Sequence, residues 1–443
     1  MPAAKAPAAS EPVSAALATS TFDTLWTVVR NTYVDTAFVS SHWTALRDTL
    51  RPQASLVENR NELNQLLAKA LARIPDSHFY IIPESAAESD DKTDSLGAGG
   101  TIGLDVRAIG DKAVAWRVEP GSPAAASGIT PGETIIRIGD VDPSKSLRLI
   151  GAVPEAGRPR ALLEALHGFN HATSPSPGAT VRVRVADGSG KISEHTVVAV
   201  PAKGTVSQFG NLPPLTGRVV SRKVGGSSSP CVGVIAFNIW LPALVPEIEK
   251  GMDGLTSCAG IVVDLRGNPG GVGAMVMGFG GYFVDSVISL GTMRSRQVSL
   301  RFVMNPRHVR NDGSTVTPFS GPMAIIVDPM SASTSEIFAA GMQRIGRARV
   351  FGERSAGAAL PAMMDRLPSG DVFVHAVADF TDPDGKRIEG AGVVPDEITP
   401  LSEKDLANGR DTALEAAVRW IRSNPATQKA PASQTGNVHS NFN

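Results

Sequence analysis

The spacing of apolar side chains takes three forms along the chain. Phe22, Leu25, Trp26, Val29 and Tyr33 recur at helical spacing behind a Ser20-x-x-Asp23 start, and Leu63, Leu66, Leu67, Ala70, Leu71 and Ile74 do so again up to Pro75. These predict a helical N-terminal part over 21–90, ending on a short strand at Phe79–Ile82, after a flexible Ala/Pro/Ser leader at 1–20. The polar, glycine-tipped run Ser85–Gly100 predicts a linker. Alternating runs then take over at Ile102–Val106, Ala113–Val118, Thr134–Ile138, Val181–Val185 and Thr196–Val200, with one helical stretch around Ala161–Leu166. This is a compact β-rich unit at 97–203. Beyond the Gly/Pro/Ser-rich crossing Pro201–Pro230, the apolar runs Val232–Phe237, Ile261–Leu265, Met323–Val327 and Arg349–Phe351 alternate with helical patterns at Pro242–Gly251, Gly271–Tyr282, Thr334–Ile345 and Asp405–Ser423. Strands alternating with helices predict an α/β core at 204–423 with a largely parallel sheet. Residues 424–443 have the composition of a disordered tail.

Within that core, Met323–Gln343 reads as strand, sharp connection and helix. A serine there has its hydroxyl at the carboxyl edge of the sheet, beside the free N–H groups of the first helical turn. Ser333 occupies that place, although Glu336 also completes a capping box with it, the plain reading of such a serine. Four runs give more: DLRGNPGG at Asp264–Gly271, SASTSEIFAAGMQ around Ser333, GERSAG from Gly352, and IEGAGVVPDE ending at Glu397. Together they resemble the carboxy-terminal processing peptidases and the related catalytic core of the tricorn protease, over roughly Phe22 to Glu397. The resemblance implies a serine endopeptidase with an α/β fold in several domains: a helical cap, an inserted β-rich domain and a ClpP/crotonase-like core. The run GTIGLDVRAIG…VEPGSPAAASGITPGETIIRIGD resembles a PDZ domain. Its carboxylate-binding loop would be Gly100, Thr101, Ile102, Gly103 and Leu104. A substrate tail would add as a strand beside Ile102–Val106, its last side chain over Ile102, Leu104 and the helix at Ala161–Leu166. Lys145–Arg160 is longer than such a domain requires.

Peptide-bond hydrolysis needs a nucleophile, a base, a group that orients the base, and donors for the oxyanion. The resemblance assigns Ser333 as nucleophile. The backbone N–H of Thr334, with that of Gly270 or Gly271, would form the oxyanion hole. The base departs from the processing-peptidase pattern, because Ala358 stands where those enzymes resemble one another in carrying a lysine. The tricorn type instead uses a Ser-His pair and a glutamate before a Gly-Val-x-Pro-Asp run. Ser77, His78 and Glu389 match these, giving a tetrad in which His78 is the base and Ser77 and Glu389 support it. An imidazole at its ordinary pKa would give activity rising through pH roughly 6–7. His375, on a strand-like run, is the rival base. The missing lysine also leaves open a catalytically silent protein that keeps the fold and binds peptide tails or small apolar ligands.

Composition narrows the partners. The chain has 443 residues, which suggests two to three domains, and 42 basic against 43 acidic side chains, which gives no field for nucleic acid. The glycine-rich run Gly270–Val284 is too short to span a bilayer. Unfolded or tail-exposed polypeptides are the expected partners, and no metal or organic cofactor is expected. Cys231 and Cys258 are too few for a disulfide scaffold or a zinc site, leaving two buried thiols or one bridge. Each lies just before a predicted strand of one crossover unit, so the two should be close in space. The resemblance implies a bacterial cell-envelope location, periplasmic or secreted, although no secretory signal is read at the start, and the cytoplasm stays open as the alternative.

Overall fold

The computed structural model describes residues 11–84, 99–210, 212, 214–226, 230–310 and 312–424. The first ten residues of the expected leader, most of the polar linker and the expected tail from 425 lie outside them. The chain opens with helices α1 (Ala15–Thr32), α2 (Thr44–Ala54) and α3 (Arg60–Leu71). Helix α1 starts before Ser20, because Ser14 accepts the Leu17 N–H as a cap ahead of two alanines. Phe22, Leu25, Trp26 and Val29 face Trp43, Leu63 and Leu67 in one apolar cluster. Trp26 and Trp43 each donate an indole N–H to the other's carbonyl, at 3.1 and 3.0 Å. The strand that follows is β1 (Tyr80–Ile82).

The inserted unit is an antiparallel sheet of β2 (Leu104–Ile109), β3 (Lys112–Val118), β4 (Thr134–Ile138), β5 (Thr180–Ala186) and β6 (Ile192–Val198), in that order. Helix α4 (Arg158–Ala172) lies against the edge strand β2. The surplus length at Lys145–Arg160 is an added helix, Pro143–Gly151, with one further turn at Glu155–Gly157.

The core sheet contains β7 (Val219–Val224), β8 (Val232–Phe237), β9 (Gly260–Asp264), β10 (Met323–Val327) and β11 (Ala348–Gly352). Strands β12 (Ala362–Arg366) and β13 (Val372–Ala376) come next in the chain, and β14 (Glu397–Ile398) closes the far edge of the core sheet. Order in the core sheet is β7-β8-β9-β10-β11-β14; β7 alone runs antiparallel to its neighbour. Helices α5 (Val245–Leu255) and α6 (Thr334–Arg344) cover one face, and α7 (Thr412–Ser423) covers the other. Every residue of β10 is buried, as expected of a parallel strand covered on both faces. The predicted Asp405–Ser423 helix is two, Glu403–Ala407 and Thr412–Ser423, parted at Gly409, whose φ is +69°. A smaller sheet, β1-β13-β12, joins the N-terminal helices to the core, with Phe373 of β13 inside their cluster. Cys231 and Cys258 lie just before the paired starts of β8 and β9 and form a disulfide. No helix among the described residues is long and apolar enough to cross a membrane.

Candidate active site

Two loops at the carboxyl ends of β9 and β10 are stitched into one surface. Asn268, fully buried, gives its amide to Phe237 O (2.7 Å) and accepts the Gly270 N–H on Oδ1 (3.0 Å), while its carbonyl receives the Ala332 N–H (3.1 Å). Ser331 Oγ donates to Leu265 O at 2.8 Å, and Asp328 accepts the N–H groups of Gly267 and Met330. Gly270 is pressed so close to the Ser333 loop that a Cβ there would stand 2.6 Å from the Ser333 Cβ; its φ is +104°. Ser333 has φ +54°, and it and His78 (φ +61°) are the two non-glycine residues with positive φ among those described. Such strain persists only where the surroundings enforce it.

The N–H of Gly270 is therefore committed to Asn268, which corrects the expectation that Gly270 could serve the oxyanion. The N–H groups of Gly271 and Thr334 donate to no protein acceptor among the described residues. Sequence spacing could not separate the two glycines, since the difference lies in where the Asn268 side chain points.

Ser77, His78 and Glu389 come together although 312 residues separate the first from the last. Glu389 accepts from Ser77 N (2.7 Å), Ser77 Oγ (3.0 Å) and Ala359 N (2.7 Å), and Ser77 Oγ lies 2.7 Å from His78 Nδ1. Burial raises the Glu389 pKa against those three donors. Burial first, and the Arg160 guanidinium second, pull the imidazole of His78 down to about 4, although the residue keeps some exposed surface. Among the described residues no hydrogen bond joins the Ser333 hydroxyl to that ring. Both are tied to the segment at 358–359: Ser333 N donates to Ala358 O (2.7 Å), and Ala359 N to Glu389. His375, the rival base, has both ring nitrogens engaged, Nδ1 with Thr32 Oγ1 (3.2 Å) and Nε2 with Asp365 Oδ2 (2.9 Å), beneath the N-terminal helices. It is a structural histidine.

Sequence reasoning took Glu336 only as a cap and missed its larger part. Fully buried, it accepts from Ser355 Oγ (2.5 Å), Gly357 N (2.7 Å), Ala358 N (2.8 Å) and Ser333 N (3.1 Å). Burial, with the charge of Glu389 a lesser contribution, pushes it up to about 7 against those donors. The available signal was an acid directly before the apolar run Ile337, Phe338, Ala339.

The groove expected to take a substrate tail is filled by the chain itself. Val106 turns its N–H and C=O to the open edge of β2, and both are taken by the Asn170 side chain, at 2.9 and 3.0 Å. In the expected carboxylate loop, the Ile102 N–H goes to Thr173 O (3.0 Å) and the Gly103 N–H to Thr101 Oγ1 (2.9 Å), and a Cβ on Gly100 would overlap Pro175 O. Ile102, Leu104, Leu163 and Leu166 pack in one cluster with Met330, Ala332, Ala356 and Ala358 of the core. That packing against another domain is something no local spacing reports.

The model of peptidase family S41 matches residues 232–399, and that of the tricorn protease C1 domain matches 16–72. The chain is 26% identical over 396 residues to a carboxyl-terminal-processing protease of Picosynechococcus sp., covering 88% of this chain and 85% of the relative. It is 25% identical to the chloroplastic carboxyl-terminal-processing peptidase 2 of Arabidopsis thaliana, covering 85% of this chain and 68% of that one. Among solved structures, the photosystem II D1 C-terminal processing protease shares the fold with a TM-score of 0.56 at 19% identity, covering 92% of this chain and 98% of that one. Tricorn protease does so with 0.51 at 17%, covering 92% of this chain and 37% of its own. Ser333, Ala358 and Glu389 fall inside the S41 match, whereas Ser77 and His78 lie between the two matched stretches. Residues 232–399 are thus similar to a peptidase family S41 domain, and 16–72 to a tricorn protease C1 domain.

Proposed function

We propose that this chain is a serine endopeptidase of protein substrates, working through Ser333, His78, Ser77 and Glu389. The observation that carries the reading is the relay Glu389–Ser77–His78, held to the Ser333 loop by Ala358 and Ala359. Ser77 has one hydroxyl proton. With that proton given to the Glu389 carboxylate, Ser77 Oγ must accept from Nδ1–H, which leaves the Nε2 lone pair free. In the reaction the Ser333 proton passes to Nε2 as Oγ bonds to the scissile carbonyl carbon, and the oxyanion forms toward the N–H groups of Gly271 and Thr334. Nε2–H then protonates the leaving amine, and water releases the acyl group by the same path in reverse. Ala358, which has no side-chain base, serves with its carbonyl and N–H. Tail capture by the inserted unit is left out, because its edge and loop donors are occupied. The disulfide favours an oxidising compartment such as the cell envelope.

Labelling by a fluorophosphonate and hydrolysis of an unfolded protein test the reading. Ser333→Ala should abolish both, and His78→Ala should lose about 100- to 10,000-fold. Activity should fall on acidification through the His78 pKa of about 4, well below an ordinary imidazole. Full labelling in His78→Ala would sink the tetrad. The loss of the family lysine at Ala358 favours one other reading, a silent peptide-binding protein, which predicts no labelling of a folded wild type.

A further inference from the structure

Helix α4 of the inserted unit reaches the base loop with its first turn. Arg160 Nη1 donates to Asp76 O at 2.7 Å and extends to Ile74 O at 3.5 Å, while its Nε pairs with Glu164 Oε1 at 2.9 Å on the outer side. Those carbonyls belong to the residues that lead into Ser77 and the left-handed backbone of His78. The Asp76 carboxylate is separately held by Tyr33 Oη (2.9 Å) and Arg387 Nη2 (2.7 Å). The N-terminal part and the core thus fix the side chain of Asp76, and the inserted unit fixes its main chain.

We propose that Arg160 is a positioning residue for the base: it fixes the strained loop that carries His78 and sets a guanidinium charge beside the imidazole, so that docking of the inserted unit completes the catalytic apparatus. The proposal rests on the reading of His78 as base. The charged groups around the ring are Arg160 on α4, Asp76 in its own loop with Arg387 behind it, and Glu389 through Ser77, with Glu336 beyond. Arg160 is the cation that bears on the ring, and it disfavours imidazolium. Losing that charge lets the ring take a proton at higher pH. Losing the fork lets the loop relax at every pH.

The test uses the full-length chain. Fluorophosphonate labelling is followed from pH 4.5 to 8, and the His78 titration is read by NMR in a Ser333→Ala background. Arg160→Gln, Arg160→Lys and the control Glu164→Gln are compared with the parent. Arg160→Gln should raise the His78 midpoint by about one unit and cut labelling at pH 5 about twofold further than at pH 8. Arg160→Lys keeps the charge and should leave the midpoint in place while slowing labelling throughout. Glu164→Gln should do neither. Titration and labelling in Arg160→Gln that superpose on the parent would overturn the proposal. If that variant does not fold, Arg160→Lys decides alone, and an unchanged rate overturns it. A moved titration with an unmoved labelling profile would leave the Arg160 contact standing and remove His78 as base.

Discussion

Glu336 receives four hydrogen bonds while fully buried, so its charge is set by donors working against desolvation. Its pKa is raised from 4.5 to about 7, so the folded chain holds a proton that the unfolded chain has released. Its contribution to stability is therefore complete below pH 4.5 and lost as pH rises through about 7. Glu336→Gln should flatten that fall: the urea midpoint of the wild type should drop more between pH 5 and 8 than that of the variant. Equal drops would mean that Glu336 does not titrate there. His78 acts with the opposite sign, because its lowered pKa makes stability fall as pH drops from 6.5 toward 4, so the comparison must be between variants rather than absolute. At this scale the sequence was legible where chemistry demands a residue type. Ser333, Ser77, His78 and Glu389 stood out through resemblance. The commitment of the Gly270 N–H and the place of Glu336 beneath the 355–358 segment depend on side-chain direction, which spacing does not carry.

Elements were legible where burial is one-sided or complete. Strands β8 and β10 and helix α6 follow the predicted apolar runs to within a residue, because a parallel strand covered on both faces leaves an unbroken apolar signature. Ends were less so. Helix α1 begins early on the Ser14 cap, and the last helical pattern breaks at Gly409, where left-handed backbone is required. The disulfide binds two elements that already pair, closing 27 residues around α5. A loop of that length predicts that reduction lowers stability by about 3–4 kcal/mol. Denaturation with and without reductant measures it, and coincident curves would show that the bond constrains nothing that folding does not already fix.

For the molecule as a whole, the junction between the inserted unit and the core is the part least visible in sequence. Arg107 of β2 enters the core, pairs with Asp328 at 2.7 Å with both side chains buried, and lies over the Trp116 ring at 4.1 Å. Asp328 also holds both active-site loops, so Arg107→Ala would leave an unpaired buried charge at their root. A loss of about 3–5 kcal/mol is expected, with labelling of Ser333 impaired in whatever fraction remains folded. An unchanged denaturation curve would show the pair to be dispensable. The interface is also invisible to local spacing: Met330, Ala332, Ala356 and Ala358, which share a cluster with Ile102 and Leu104, read as parts of another domain. The separation of 312 positions between Ser77 and Glu389 carries a consequence for synthesis. The proposed base is made early and its carboxylate partner very late, with the inserted unit and most of the core in between. Closing contacts so distant along the chain is the slow part of folding. On the proposed assignment, a nascent chain therefore emerges without the means to cut its neighbours, and acquires them only when residues at both ends of this span have met.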